Sequence, residues 1–182
     1  MAFYTRKGDD GTTGILGEKR LPKYHLRIEA LGTLDEANAA LGLARASVLD
    51  ARSAPLLIET QRDLYRLMAE VAASPENAGT FRFDGERVGW IEKETDQLSK
   101  TVAIPEEFIL PGDTSGGAAL SLARAIIRRA ERRVAELFDA GEVTNPALQQ
   151  YLNRLSSLLF LLELVENQAG GKNTTLAKKR SG

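Results

Sequence analysis

The chain has no cysteine, a single histidine and no charge of one sign in excess. Without cysteine there can be no disulfide, zinc–thiolate site, iron–sulfur cluster or thiol nucleophile. His25 is the only histidine, so a Ser-His-Asp triad has one possible base and no supporting motif, and no Glu-x-x-His pair exists for a di-iron bundle. His25 itself reads as a surface or loop residue. Lys plus Arg number 24 against 25 Asp plus Glu, which argues against a dedicated polybasic nucleic-acid binder. A bilayer span needs about 20 apolar residues. The strongest run here, Leu158 to Val165, is short and broken by Glu163. The segment Met1 to Gly14 is polar and glycine-rich with no apolar stretch, so no secretory leader is expected there. The expectation is a cytoplasmic protein with no nucleic-acid or membrane partner.

What is present is a globular composition. The 182 residues are 43% hydrophobic and 27% charged, enough for one domain with a real core. Glycine and proline crowd the first 22 residues, then 74–85 and 105–117, then the tail. Between them, apolar residues recur at helical spacing. A first helix is expected from a capping-box pattern at Thr33-Leu34-Asp35-Glu36, continuing through Ala37, Leu41 and Ala44. A second covers Pro55 to Ala72 and a third, weaker one Asp84 to Lys100. The fourth covers Ser115 to Ala140, with a face of Ala119, Leu122, Ala123, Ile126, Ile127, Ala130, Val134 and Leu137. The fifth starts at Asn145-Pro146, an N-cap followed by proline at the first helical position, and runs to Gln168. No βαβ alternation appears. The pattern predicts an all-α, five-helix antiparallel bundle as one domain over 1–170, with an N-terminal arm over about 1–25. Residues 171–182 have no apolar period and read as a flexible tail.

Four features could carry chemistry. In Thr5-Arg6-Lys7-Gly8-Asp9-Asp10-Gly11-Thr12-Thr13-Gly14, glycines recur every third residue among hydroxyls, with Lys19, Arg20 and Lys23 close behind. Glycine lets backbone N–H groups turn toward an anion. No Gly-Lys-Ser/Thr closes the loop, so it is not the usual phosphate loop, and on composition alone a plain flexible arm stands slightly ahead of a phosphate site. Second, Arg124, Arg128 and Arg132 fall on one face of the fourth helix, with Glu131 three residues after Arg128. Such a row can grip a polyphosphate, although charge runs are usually solvated surface. Third, Asp35 and Glu36 would favour the positive end of the first helix, while Asp35 could instead pair with an arginine across a site. Fourth, Phe108-Ile109-Leu110-Pro111-Gly112 is an apolar loop that could cover the bundle or wall a pocket for a large planar ligand. Asn153 is a polar residue in an apolar helix, suited equally to an inter-helix hydrogen bond or a ligand contact.

Taken together and in order, five segments resemble the PduO-type ATP:corrinoid adenosyltransferases. They are Tyr4-Thr5-Arg6-x-Gly8-Asp9-x-Gly11-x-Thr13, Gly32-Thr33-Leu34-Asp35-Glu36 and Phe108-Ile109-Leu110-Pro111-Gly112. Ala123-Arg124-x-x-x-Arg128-Arg129-Ala130-Glu131-Arg132 and Tyr151-Leu152-Asn153-Arg154-Leu155-Ser156 complete the set. The resemblance implies a homotrimer with active sites between subunits, and transfer of the 5′-deoxyadenosyl group of ATP to cob(I)alamin with release of triphosphate. It implies that Thr5, Arg6, Gly8, Asp9, Gly11, Thr12 and Thr13 wrap ATP, with Mg²⁺ on the phosphates rather than on protein side chains. Lys23, Arg128, Glu131, Arg132 and Asn153 are implied to join the nucleotide site. Asp35 and Arg124 match a pair that bridges subunits on the corrinoid side, and Phe108 an aromatic that displaces the lower ligand of cobalt. Arg128, Asp35, Arg124 and Phe108 are thus the expected catalytic group. A cobalamin reductase and an adenosylcobalamin-dependent acceptor enzyme are the further partners implied.

Two positions depart from the family pattern. Lys7 stands where a small residue is common, and Asp113 follows Pro111-Gly112 where a second glycine is common. The alternative reading is a non-catalytic bundle that binds nucleotide or corrinoid and delivers it to a partner enzyme. A plain interaction scaffold with solvated charges is the third.

Overall fold

Apolar side chains at three- and four-residue spacing build five helices: α1 (Leu26–Ser47), α2 (Ser53–Ala72), α3 (Glu86–Ser99), α4 (Ser115–Asp139) and α5 (Pro146–Ala169). The structure is a computed structural model and describes Tyr4 and residues 6–17 and 19–178. α1 runs antiparallel to α2 (Asn38 by Gln61, Arg27 by Val71) and to α4 (Glu29 by Arg133, Ser47 by Gly116). α4 runs antiparallel to α5 (Glu131 by Asn153, Gly117 by Asn167), and α3 parallel to α5 (Arg87 and Tyr151 both on Asp63, Glu92 by Arg154). Leu34, Leu41, Leu64, Leu67, Leu120, Ile127, Leu137, Leu152 and Leu159 are wholly buried between them. The all-α expectation needs one addition. The arm carries a two-stranded antiparallel hairpin, β1 (Thr12–Gly14) and β2 (Arg20–Pro22), with Thr13 opposite Leu21.

Helices α2 to α5 lie within two residues of their expected ends. α1 does not. It begins seven residues before Thr33, which is buried inside it and donates its hydroxyl to the Glu29 carbonyl at 2.9 Å. Asp35 and Glu36 therefore sit in mid-helix rather than at a helix start. The true N-cap is His25, whose Nδ1 accepts from the Arg27 N–H at 3.2 Å. Arg27 hides the early start, because a buried arginine interrupts the apolar pattern. Its guanidinium is satisfied by the carbonyls of Val71 (2.7 Å), Ala73 (3.1 Å) and Glu142 (2.7 Å) and by the Glu142 carboxylate at 2.5 Å. Beside it the Glu142 carboxyl is held below the usual range. One side chain so ties together the start of α1, the end of α2 and the α4–α5 turn. Leu122, expected on the inner face of α4, is instead half exposed at 52%.

Buried acids fasten the α2–α5 seam. Asp63, fully buried, accepts from Arg87 (2.6 Å), Arg66 (3.0 Å) and the Tyr151 hydroxyl (2.9 Å). Glu70 accepts from the Phe83 N–H at 2.5 Å and Asn145 Nδ2 at 2.9 Å. α2 has no side-chain cap of its own. Glu166 of α5 instead accepts from the N–H of Leu49 (2.6 Å) and the Ser53 hydroxyl (2.6 Å), which closes the α1–α2 turn. The start of α4 packs just as closely. A Cβ on Gly116 would lie 2.9 Å from the Ser47 carbonyl oxygen and 3.1 Å from Glu166 Oε2.

The segment after α5 was expected to hang loose, yet part of it pairs. Leu176 bridges Ile109, with Leu110 N–H donating to the Thr175 carbonyl (2.8 Å) and Ala177 N–H to the Phe108 carbonyl (2.7 Å). Asp113 fixes the same strand, accepting from the Thr175 hydroxyl at 2.6 Å and its N–H at 2.9 Å. These bonds hold the Asp113 carboxyl below its usual range. The departure from the family pattern at this position thus has a structural use. Residues 179–182 lie outside the described part.

Candidate active site

The inward face of α4 is apolar, so its i, i+4, i+8 row of Arg124, Arg128 and Arg132 points away from the core. The neighbours on that helix are engaged. Arg129 is ion-paired with Glu36, and Arg133 with Glu136 at 2.9 Å. Arg128 and Arg132 are exposed and have no hydrogen-bond or ion-pair partner among the described residues. Beside them Glu131 Oε1 accepts from Asn153 Nδ2 at 2.8 Å, and Arg154, held by Glu92 at 3.0 Å, donates to Asn153 Oδ1 at 3.3 Å. Two guanidinium groups with open donors therefore flank a fixed carboxylate–amide pair. That arrangement suits a polyanion carrying a polar head.

The arm is folded as a donor-rich turn. Gly11 has φ +80°, a conformation that favours glycine, and its carbonyl accepts from the Lys23 N–H at 2.9 Å. Lys23 Nζ sits 3.4 Å from where a Gly8 Cβ would be, which places a cation against the glycine backbone. Asp10 accepts from the Thr12 N–H (2.9 Å) and hydroxyl (2.8 Å), and those bonds lower its carboxyl pKa. Arg20 donates to the Thr12 hydroxyl (3.0 Å) and the Lys7 carbonyl (2.6 Å). Thr13 is in β1, Asp9 is exposed, and Arg6 (φ 60°) lies over the Tyr4 ring at 5.3 Å. Thr5 is outside the described residues. The hairpin roots at the end of α2, through Leu16 N–H to the Ala72 carbonyl (2.8 Å) and Ser74 N–H to the Leu16 carbonyl (3.0 Å).

A cavity of about 410 Å³ opens at the other end of α4. Phe108, Ile109, Pro111 and Phe160 give it apolar walls, and Ser121, Arg124, Glu163, Glu106 and Glu107 supply the polar groups. Phe108 is 89% exposed, held out by the strand pairing of its loop. The Arg124 guanidinium lies 5.6 Å from the Phe160 ring centre, within range of a cation–π contact.

The family model for cobalamin adenosyltransferase matches residues 3–166. The chain belongs to the cobalamin adenosyltransferase family. It is 39% identical over 170 residues to the corrinoid adenosyltransferase PduO of Salmonella typhimurium, covering 92% of this chain and 50% of that protein. It is 38% identical over 175 residues to a cobalamin adenosyltransferase of Cupriavidus metallidurans, covering 94% and 91%. The chain thus spans about half the length of the PduO relatives and most of the shorter one. A variant PduO-type ATP:corrinoid adenosyltransferase from Lactobacillus reuteri, solved with cobalamin and ATP, superposes with a TM-score of 0.89 at 28% identity. That match covers 98% of this chain and 100% of that one.

Among the residues expected to act in a cobalamin adenosyltransferase, one chain brings some together and leaves others apart. Arg128, Glu131, Arg132 and Asn153 form one cluster. Gly8, Gly11, Thr12 and Lys23 form another. No hydrogen bond or ion pair among the described residues joins the two. At about 1.5 Å of rise per residue, Arg128 lies roughly 16 Å from the end of α4 near which the hairpin roots. Arg124 and Phe108 border one cavity. Asp35 is exposed on α1 and has no partner among the described residues, so it does not meet Arg124 within the chain. Sequence reasoning read Glu163 only as an interruption of an apolar run. Its signal was there, because an acid flanked by leucines on both sides of a helix turn must be buried. Among the described residues no helix is long and apolar enough to cross a membrane.

Proposed function

We propose that this chain is a corrinoid adenosyltransferase that moves the 5′-deoxyadenosyl group of ATP to cob(I)alamin, giving adenosylcobalamin and triphosphate. The observation that carries the proposal is the pair of unpartnered guanidinium groups, Arg128 and Arg132, beside the Glu131–Asn153 pair. That is what a triphosphate leaving group needs. Cobalt(I) is the nucleophile. A cobalt–carbon bond forms at C5′, the bond from C5′ to the triphosphate oxygen breaks, and the electron pair departs with the phosphate. No protein acid or base is required at the reacting carbon. The protein aligns C5′ with cobalt and stabilises the departing charge, which positioned arginines and backbone N–H groups do well.

In this reading Arg6, Gly8, Asp9, Gly11, Thr12, Thr13 and Lys23, with Thr5, cradle the ATP phosphates, and Mg²⁺ arrives on those phosphates. Phe108 walls the corrinoid side and favours cobalamin without its lower ligand, which makes the Co(II) precursor easier to reduce. The separation of the two clusters within one chain supports a site completed across subunits, in a homotrimer where the arm of one subunit meets α4 of the next and Asp35 meets Arg124. A reductase would supply Co(I), and an adenosylcobalamin-dependent enzyme would take the product.

The test is anaerobic incubation with ATP, Mg²⁺ and chemically reduced cobalamin. Growth of the adenosylcobalamin spectrum with stoichiometric triphosphate is expected. Binding of both ligands with no triphosphate would favour a cofactor carrier instead.

A further inference from the structure

Glu163 differs from the other buried acids of this protein. Its side chain is 2% exposed, yet its Oε1 has no hydrogen-bond partner among the described residues. Asp63 and Glu166, buried as deeply, are each satisfied by several donors. An unsatisfied buried acceptor costs stability, so a fold that keeps one invites a ligand-based explanation. Burial pushes the Glu163 carboxyl up, while the Ser121 hydroxyl and the Arg124 guanidinium draw it partly back.

Glu163 lines the cavity bounded by Phe108 and Phe160, its unpartnered Oε1 itself shielded from solvent, so a ligand must part the wall slightly to reach it. An acceptor and a guanidinium donor side by side, set in aromatic walls, match one small group well: a primary carboxamide. The amide N–H₂ donates to the carboxyl oxygen and the amide carbonyl accepts from Arg124. A ligand carboxylate fits poorly, because the cavity presents three carboxyl groups (Glu106, Glu107 and Glu163) against one guanidinium. We propose that Glu163, working with Arg124, is a specificity-determining residue that recognises a carboxamide on the rim of the corrin ring. This rests on the adenosyltransferase reading, since the ring of cobalamin is fringed with such amides. It adds that the enzyme selects the fully amidated ring through an unpartnered acceptor and through repulsion of an acid in the same place.

Glu163→Leu and Glu163→Gln test it, with cobalamin and with its monocarboxylate derivatives from mild hydrolysis of the side-chain amides. Leucine removes the acceptor and is expected to raise the KM for cobalamin about tenfold or more while the KM for ATP stays unchanged. Glutamine keeps an acceptor without the charge. It should retain cobalamin but lose the preference for cobalamin over the monocarboxylates. Equal effects on ATP and corrinoid, an unchanged cobalamin KM in the leucine variant, or an unchanged preference in the glutamine variant would each overturn the inference. Spectral titration of the same variants with cobalamin needs no turnover. An inactive wild type that still binds cobalamin more tightly than the leucine variant would strike at the catalytic reading alone and uphold the role of Glu163. Equal binding by the two would overturn that role.

Discussion

Along the α2–α5 seam, Asp63, Glu70 and Glu166 each accept several hydrogen bonds and see almost no solvent. On the outer face of α4, Arg128 and Arg132 have no partner among the described residues, although Arg129 and Arg133 next to them are ion-paired. The seam spends its charge on holding helices together. The outer face leaves chosen donors open between neutralised neighbours. Proximity in sequence does not separate the two kinds of arginine; where each acid is spent does, since Glu36 and Glu136 take Arg129 and Arg133 while Glu131 is engaged by Asn153.

The comparison breaks most visibly at Asp63. Asp63→Ala leaves the Tyr151 hydroxyl without its acceptor and the Arg87 guanidinium with only the Glu59 carboxylate at 3.7 Å, and should cost about 3–5 kcal/mol of stability. Denaturant unfolding followed by circular dichroism would read this, and a loss below about 1 kcal/mol would show that the seam is not held by charge. Arg128→Ala should do the reverse. Its turnover should fall about 10²- to 10³-fold, the scale of one lost transition-state donor, while the unfolding midpoint stays where it was. A drop in both would place Arg128 with the structural charges. Phe108→Ala should slow reaction begun from Co(II) about tenfold more than reaction begun from Co(I), a difference near 1.4 kcal/mol. Equal losses would remove the side chain from the lower face of the corrinoid.

The smallest effect should come from Asp113→Gly, with global stability changing by less than about 0.5 kcal/mol but amide exchange at Thr175 and Ala177 rising. pH should have a related effect. The Asp113 carboxyl is held below its ordinary value by the Thr175 bonds, so the latch is fully present above the unfolded value of 3.8 and is lost as pH falls through the lower folded value. Thr175 exchange rates, corrected for intrinsic chemistry, should therefore be flat at neutral pH and rise only in acid. A rise centred near pH 7 would assign the latch to another group.

Much of this was legible in the chain. The stripes of α2, α4 and α5 mark their faces because leucine, isoleucine and alanine recur along the whole of each helix and outweigh the buried acids Asp63, Glu70, Glu163 and Glu166 among them, and the Asn145-Pro146 start needs no tertiary context. The start of α1 was hidden because Arg27 is buried against carbonyls from distant segments, and because Thr33 imitates a cap. The tail strand was hidden for the same reason: its partner, the Phe108 loop, lies more than sixty residues away in sequence. Arg128 and Glu131 stood out as a charged row on one helix face and Asn153 as a polar residue in an apolar helix, the family resemblance adding their roles, and only the geometry tells which neighbouring arginines are already occupied.

Gly116 carries a consequence for anyone hunting inactive variants. The ends of α1 and α5 come so near to it that one added methyl group must push α4 outward at its first turn. That turn follows directly on the loop bearing Phe108. A random screen for lost corrinoid chemistry should thus return alanine or serine at 116, a lesion that touches no ligand and acts by swinging the aromatic wall out of register.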